Sequence, residues 1–295
     1  MPHIPTSTVL PGYKAQSSDT SIDVDVLMFQ LLRKLTPLQK FQRVSHFNKS
    51  LRHRCLEAIR SQHPQATPWE MCKEYMRRRG GDVPIFERDF LTLQEDIVIE
   101  DPIKFARKIA DLLEPLTISY MVGGSVASSL LGENRFSEDL DLVIDIDVSQ
   151  MQPLIQAFER KFYISEVAVE ETFYSPEPTK SFNIVDFLSV EKADIFIAKS
   201  DPFSRSKMAR HQLYPLPDES VPPIYISSAE DIVLQKLTWR QINRNESQKQ
   251  WRDILGVLKT QGERLNFDYL WQWAETLDVL DDLDKAFTEA GLIAF

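Results

Sequence analysis

The stretch from residue 118 to 142 constrains the fold most. An apolar run, Ile118 to Val122, enters Gly123-Gly124-Ser125. A helix-forming segment, 126–131, follows, and then a second apolar run that opens on the alternating acids Asp139 and Asp141. Only 9 of the 295 residues are glycine, yet Gly123, Gly124 and Gly132 fall within ten positions, so glycine is concentrated where the chain turns. A glycine turn from strand into helix points backbone amides outward, and the helix start adds positive potential. Phosphate oxygens are natural ligands there, with Ser125 adding its hydroxyl. A Gly-Gly turn needed only to reverse the chain fits the same text.

Asp139 and Asp141 sit at i and i+2 in an expected strand, so both project to one face while Leu140 and Leu142 face the other. Two adjacent carboxylates repel unless a cation lies between them. Mg²⁺ favours hard oxygen ligands, typically one or two carboxylates plus substrate phosphates. A solvent-facing acidic strand start is the alternative. Asp194 interrupts the apolar text Ala193-Asp194-Ile195-Phe196-Ile197, and a carboxylate on a buried strand must be paired or metal-bound. Asp186 competes for the same role. Asp194 is preferred because its neighbours alternate better.

Charge divides the chain. Residues 1–81 carry 13 basic and 6 acidic side chains within a net charge of -10, leaving the remainder strongly acidic. The two parts are therefore expected to attract each other, or the basic part to meet an acidic partner such as nucleic acid, unless it is simply a solvated face. The expected organisation is a disordered tail (1–20), a basic helical module (21–81), a connector with one short strand (82–100), a catalytic sheet domain (101–220) and a C-terminal helical domain (221–295). Helix starts are read at Thr36-Pro37-Leu38-Gln39, Thr67-Pro68-Trp69-Glu70, Asp101-Pro102 and, as a capping box, Ser227 with Glu230. Gly80-Gly81 is expected to stop the first helical segment, and helices are also expected over 251–258 and 269–287. Strands are expected over 117–122, 140–146, 182–188 and 193–198. The fold class is α+β, a mixed sheet flanked by helices.

No apolar stretch is long enough to span a bilayer and no secretory leader is visible, so a cytoplasmic protein without membrane contact is expected. Cys55 and Cys72 match neither a zinc spacing nor a disulfide framework, and His46, His53 and His63 have no metal spacing.

Taken together, Tyr120-Met121-Val122-Gly123-Gly124-Ser125, Arg135-x-Ser137-x-Asp139-x-Asp141, Lys192-x-Asp194, Ser228-Ala229-Glu230-Asp231 with Lys236-Leu237, and Trp251-Arg252-Asp253-Ile254 resemble the nucleotidyltransferase superfamily. Within it they are most similar to bacterial nucleotidyltransferases of the AbiEii/AbiGii toxin type. The resemblance covers about residues 101–275. It implies a polymerase-beta-like fold and transfer of a nucleoside monophosphate from an NTP, such as ATP, to a hydroxyl. It also implies Mg²⁺ or Mn²⁺ held by Asp139, Asp141 and Asp194. Gly123, Gly124 and Ser125 would hold the β and γ phosphates, Arg135 would neutralise phosphate charge, and Lys236 and Asp253 would line the site. On a helical wheel Lys236 flanks an apolar stripe and Asp253 lies opposite one, so a snorkelling lysine and a solvated aspartate remain open. The acceptor is left open among a tRNA or other RNA end, a protein and a small molecule. A toxin-antitoxin setting would add a regulatory partner protein.

Two rivals stand beside this reading. One is a catalytically silent module that binds a nucleotide or partner. The other is a serine hydrolase, since Ser125, Asp194 and His211 occur in the chain order of an α/β-hydrolase triad.

Overall fold

A computed structural model describes residues 7–78, 99–177, 179–242 and 247–293. The Gly80-Gly81 stop and almost all of the expected connector, with its strand, lie outside the described residues. Seven strands form one mixed sheet: β1 (Ser119–Val122), β2 (Leu140–Asp145), β3 (Phe162–Ile164), β4 (Ser181–Asp186), β5 (Lys192–Ile197), β6 (Gln212–Tyr214) and β7 (Ile224–Ile226). Their order is β3-β4-β5-β2-β1-β7-β6. β2 runs parallel to β5 and β1 parallel to β7, and the other pairs are antiparallel. The helices are α1 (Ile22–Lys34), α2 (Pro37–Gln62), α3 (Pro68–Arg78), α4 (Pro102–Leu113), α5 (Gly124–Leu131), α6 (Met151–Phe158), α7 (Glu166–Tyr174), α8 (Pro202–Ala209), α9 (Ala229–Ile242), α10 (Gln248–Gln261), α11 (Phe267–Thr276) and α12 (Leu280–Ala290). This is the expected mixed sheet flanked by helices. None of the described helices is long and apolar enough to cross a membrane.

Strand periodicity gives the sheet two different faces. Leu140, Leu142 and Ile144 of β2, with Ala193, Ile195 and Ile197 of β5, join the main core that includes Phe105, Ile109 and Leu113 of α4. The alternate residues Met121, Val143 and Phe196 form a separate apolar cluster with Met208 on the opposite face, the face that carries the acids. A third cluster joins α9, α10, α11 and α12 to Ala127 of α5.

Local chemistry accounts for the helix starts. Asp101 caps α4 by accepting from Ile103 N at 2.8 Å and Lys104 N at 3.1 Å, with Pro102 in the first turn, where no donor is missed. Thr36 and Gln39 form both halves of a capping box, and Thr67 and Glu70 do the same.

The sequence reading needs correction at three places. The α9 cap is Ser228, whose hydroxyl accepts from Asp231 N at 3.2 Å. Ser227 instead donates its amide to Val122 O at 2.9 Å and so continues the β7 edge. The stretch 269–287 is not one helix, because Asp278 adopts a left-handed φ of 57° between α11 and α12. Residues 7–20, expected to be a tail, are docked. Tyr13 Oη donates to Asp25 at 2.5 Å, Lys14 N donates to Glu289 O at 3.0 Å, and Gln16 Nε2 donates to Glu133 at 3.0 Å. The basic helices share the main core as well, through Phe41 and Val44 of α2.

Candidate active site

Parallel pairing of β2 with β5 sets Asp141 directly opposite Asp194, and Asp139, in the bend just before β2, opens into the same cavity. These acids line a cavity of about 620 Å³ together with Gly123, Gly124, Ser125, Arg135 and Lys236. Asp253, which the resemblance also assigns to the site, does not line it. Asp186, the rejected candidate, is a buried structural acid, bonded by Lys108 Nζ at 2.7 Å and by the Ser189 hydroxyl at 2.6 Å.

The two turn glycines are not equivalent. Gly124 has φ +51°, and a Cβ there would fall 1.7 Å from Asp141 Oδ2, so only hydrogen fits. A Cβ on Gly123 would meet nothing within 4 Å. Asp141 is thus pressed against the start of α5, where Ser125 N donates to its Oδ2 at 3.4 Å. The Ser125 hydroxyl pairs with that of Ser137, which is also 2.6 Å from Asp139 O. The Ser125 amide and hydroxyl therefore have protein partners, and a phosphate would take them over from Asp141 and Ser137.

Burial, and then the charge of Asp194, push the Asp141 carboxyl up to about 6, while Lys236 and the Ser125 amide act in the opposite direction. Asp194 is raised too, by burial above all, with Lys192 opposing. Lys192 Nζ lies 3.2 Å from Asp139 Oδ2 and 3.2 Å from Asp194 Oδ1. Among the described residues no three acidic, histidine or cysteine side chains form a ready-made metal site. An ammonium already spans two of the acids. The donors nonetheless suit a hard divalent cation. All are carboxylates, two have raised pKa values, and Asp194 Oδ1 already faces a cation, the Lys192 ammonium at 3.2 Å.

Asp253 corrects the helical-wheel expectation. It is buried behind the cavity, where it accepts from Arg135 Nε at 2.7 Å, Arg135 Nη2 at 2.8 Å and Lys236 Nζ at 2.8 Å. Burial alone would raise its pKa, but the Arg135 hydrogen bonds and Lys236 hold it below the usual carboxylate value. One face of Arg135 is thus committed to Asp253, which aims both cations at the cavity wall.

Side chains without a recognisable motif complete the site. Asn48 Oδ1 of α2 accepts from Ser137 N at 3.0 Å, and the buried Arg52 donates to Glu100 O at 3.1 Å and pairs with Glu191 at 2.8 Å. Gln235, Trp239, Lys249 and the exposed Phe47 line the cavity. Their only signal in the sequence is membership of helices, and long-range contacts have no local spacing. The hydrolase triad is not assembled. Ser125 pairs with Ser137, whereas the His211 ring packs edge-on against Tyr225 at 4.3 Å and its Nδ1 faces Met208 O.

No protein-family model and no curated protein matches the chain. Among solved structures, an antigenic nucleotidyltransferase-like protein from Paracoccidioides brasiliensis is 20% identical with a TM-score of 0.42, covering 65% of this chain and 94% of that one. ANT(2")-Ia in complex with adenylyl-2"-tobramycin is 15% identical with a TM-score of 0.37, covering 61% and 95%. A solution structure of the antibiotic-resistance factor ANT(2'')-Ia is 14% identical with a TM-score of 0.36, covering 62% and 91%. Likeness this distant assigns neither family nor reaction, so the chemistry rests on the site's own residues.

Proposed function

We propose that the chain is a metal-dependent nucleotidyltransferase that moves a nucleoside monophosphate from an NTP to a hydroxyl acceptor. One observation carries this reading: Asp141 and Asp194 face each other across paired strands, with Asp139 opening into the same cavity, against a glycine turn where Gly124 alone fits. Bound Mg²⁺ or Mn²⁺ would neutralise phosphoryl charge and lower the pKa of the acceptor hydroxyl. Asp139, Asp141 and Asp194 would hold the ions once Lys192 turns outward. The freed ammonium, Arg135 and Lys236 then face the triphosphate, and the turn at Ser125 takes its terminal oxygens. The acceptor oxygen bonds to the α phosphorus as the bond to pyrophosphate breaks, and its proton passes to the Asp194 carboxylate.

The finer reading, an enzyme of AbiEii/AbiGii toxin type with a neutralising partner protein, rests on the motif text alone. A second reading, a silent nucleotide- or partner-binding module, is favoured by Lys192 sitting between Asp139 and Asp194. Incubation with α-labelled NTPs, Mg²⁺ or Mn²⁺ and separate RNA, protein and small-molecule fractions decides between them. The transferase labels one fraction and Asp139→Asn does not. Nucleotide binding without label in any fraction establishes the silent module.

A further inference from the structure

A second cavity, of about 540 Å³, adjoins the first and shares Val143, Phe196, Gln235 and Trp239 with it. The same strand alternation builds both. About 7 Å beyond Asp141 and Asp194, the pair Val143 and Phe196 replaces acid with apolar surface, and Met121 opposite Val143 widens the floor. Trp239 stands over this floor, its ring 5.4 Å from that of Phe196.

Two polar groups on the walls point to a ligand. Gln235 Oε1, where the cavities meet, is a buried acceptor with no donor, a costly arrangement unless something supplies an O–H or N–H. Lys207 lies over the Phe203 ring at 4.9 Å, and among the described residues no carboxylate comes within ion-pair distance of its ammonium. The other charged groups of the wall are committed: Lys199 Nζ donates to Ser175 O at 2.6 Å, and Asp201 accepts from Ser204 N at 2.9 Å as the cap of α8. Lys207 is the charge left over, and burial depresses its pKa, with Asp231 and Asp201 opposing only through space.

We infer that this second cavity is the acceptor pocket, taking a small molecule with a flat apolar body against the wall formed by Phe196 and Trp239, a hydroxyl or N–H donor for Gln235 and an anionic group for Lys207. The assignment rests on the transferase reading and names its substrate class. A polycationic acceptor would meet two lysines and be disfavoured.

Titration with 8-anilinonaphthalene-1-sulfonate, an aromatic anion, against 1-naphthylmethylammonium, an aromatic cation, tests it. Wild type should bind the anion equally well with and without saturating ATP and Mg²⁺. Lys207→Met should weaken anion binding by about tenfold or more, the loss of one charge-assisted contact, without weakening the cation. Lys207→Arg should retain the anion, and Trp239→Leu should weaken both probes. Anion binding unchanged in Lys207→Met overturns the assignment, as does one-for-one displacement by ATP, which would make the cavity a nucleobase site. ATP binding is measured on the same protein by calorimetry. If that fails while the probe results hold, the transferase reading falls and the anion pocket stands.

Discussion

At Asp141 the folded chain works against its own stability. The carboxylate is buried against the start of α5, faces Asp194 across the strand pair and titrates near 6. Because this pKa lies above the ordinary value of 3.8, its stabilising contribution is complete below about pH 4 and is lost as pH rises through about 6. Above that pH Asp141→Asn should therefore raise the metal-free melting temperature by about 2–4 °C, for roughly 1 kcal/mol of relieved repulsion, while cutting nucleotide transfer by about a hundredfold or more. Calorimetry and the label assay read the two effects independently. Divalent-ion affinity should run the opposite way to metal-free stability, falling about tenfold per pH unit below about 6, as Mn²⁺ titrations on either side of that pH would reveal. Gly124→Ala should lose nucleotide binding, since its methyl would displace Asp141, whereas Gly123→Ala, with open space around it, should keep it.

At the scale of elements, α2 reaches into the catalytic loop, with Asn48 holding the Ser137 amide and Arg52 anchoring Glu100 and Glu191. Asn48→Ala should cost about 1–3 kcal/mol in stability, read by urea unfolding, and should lower kcat more than it raises KM for nucleotide, because it loosens Ser137 beside Asp139. Little of this was legible beforehand. The glycine turn, the alternating aspartates and the capping boxes were readable because each depends on residues within a few positions. The α9 cap was misplaced by one residue because Ser227 and Ser228 carry the same hydroxyl, and only pairing with Val122 assigns Ser227 to the strand end. The three-residue strands β3, β6 and β7 are too short for alternation to register. The partners Asn48–Ser137 and Arg135–Asp253 join residues far apart in sequence, and the helical wheel left Asp253 open between solvent and the site because it has no access to the neighbouring loop.

Across the whole molecule the charge split is partly resolved by contacts between the basic first part and the acidic remainder, through Arg52–Glu191 and Lys14–Glu289. A further buried pair, Asp25 with Lys259 at 2.8 Å, ties α1 to α10, and Tyr13 closes over it. Composition alone suggested a free tail there, because a polar, proline-containing segment looks mobile until its few side chains find partners. Asp25→Asn should destabilise the chain by about 3–5 kcal/mol, leaving Lys259 buried without its counter-ion. A drop of that size in urea unfolding would distinguish an anchor from a surface contact. These supports converge on one cavity, whose acids serve the proposed chemistry only if a divalent ion displaces Lys192. Electron paramagnetic resonance of Mn²⁺ titrated into the protein with ATP tests that most directly. The account predicts bound Mn²⁺ that requires ATP and is lost in Asp141→Asn, with tighter binding in Lys192→Met. Mn²⁺ binding indifferent to both substitutions would contradict it.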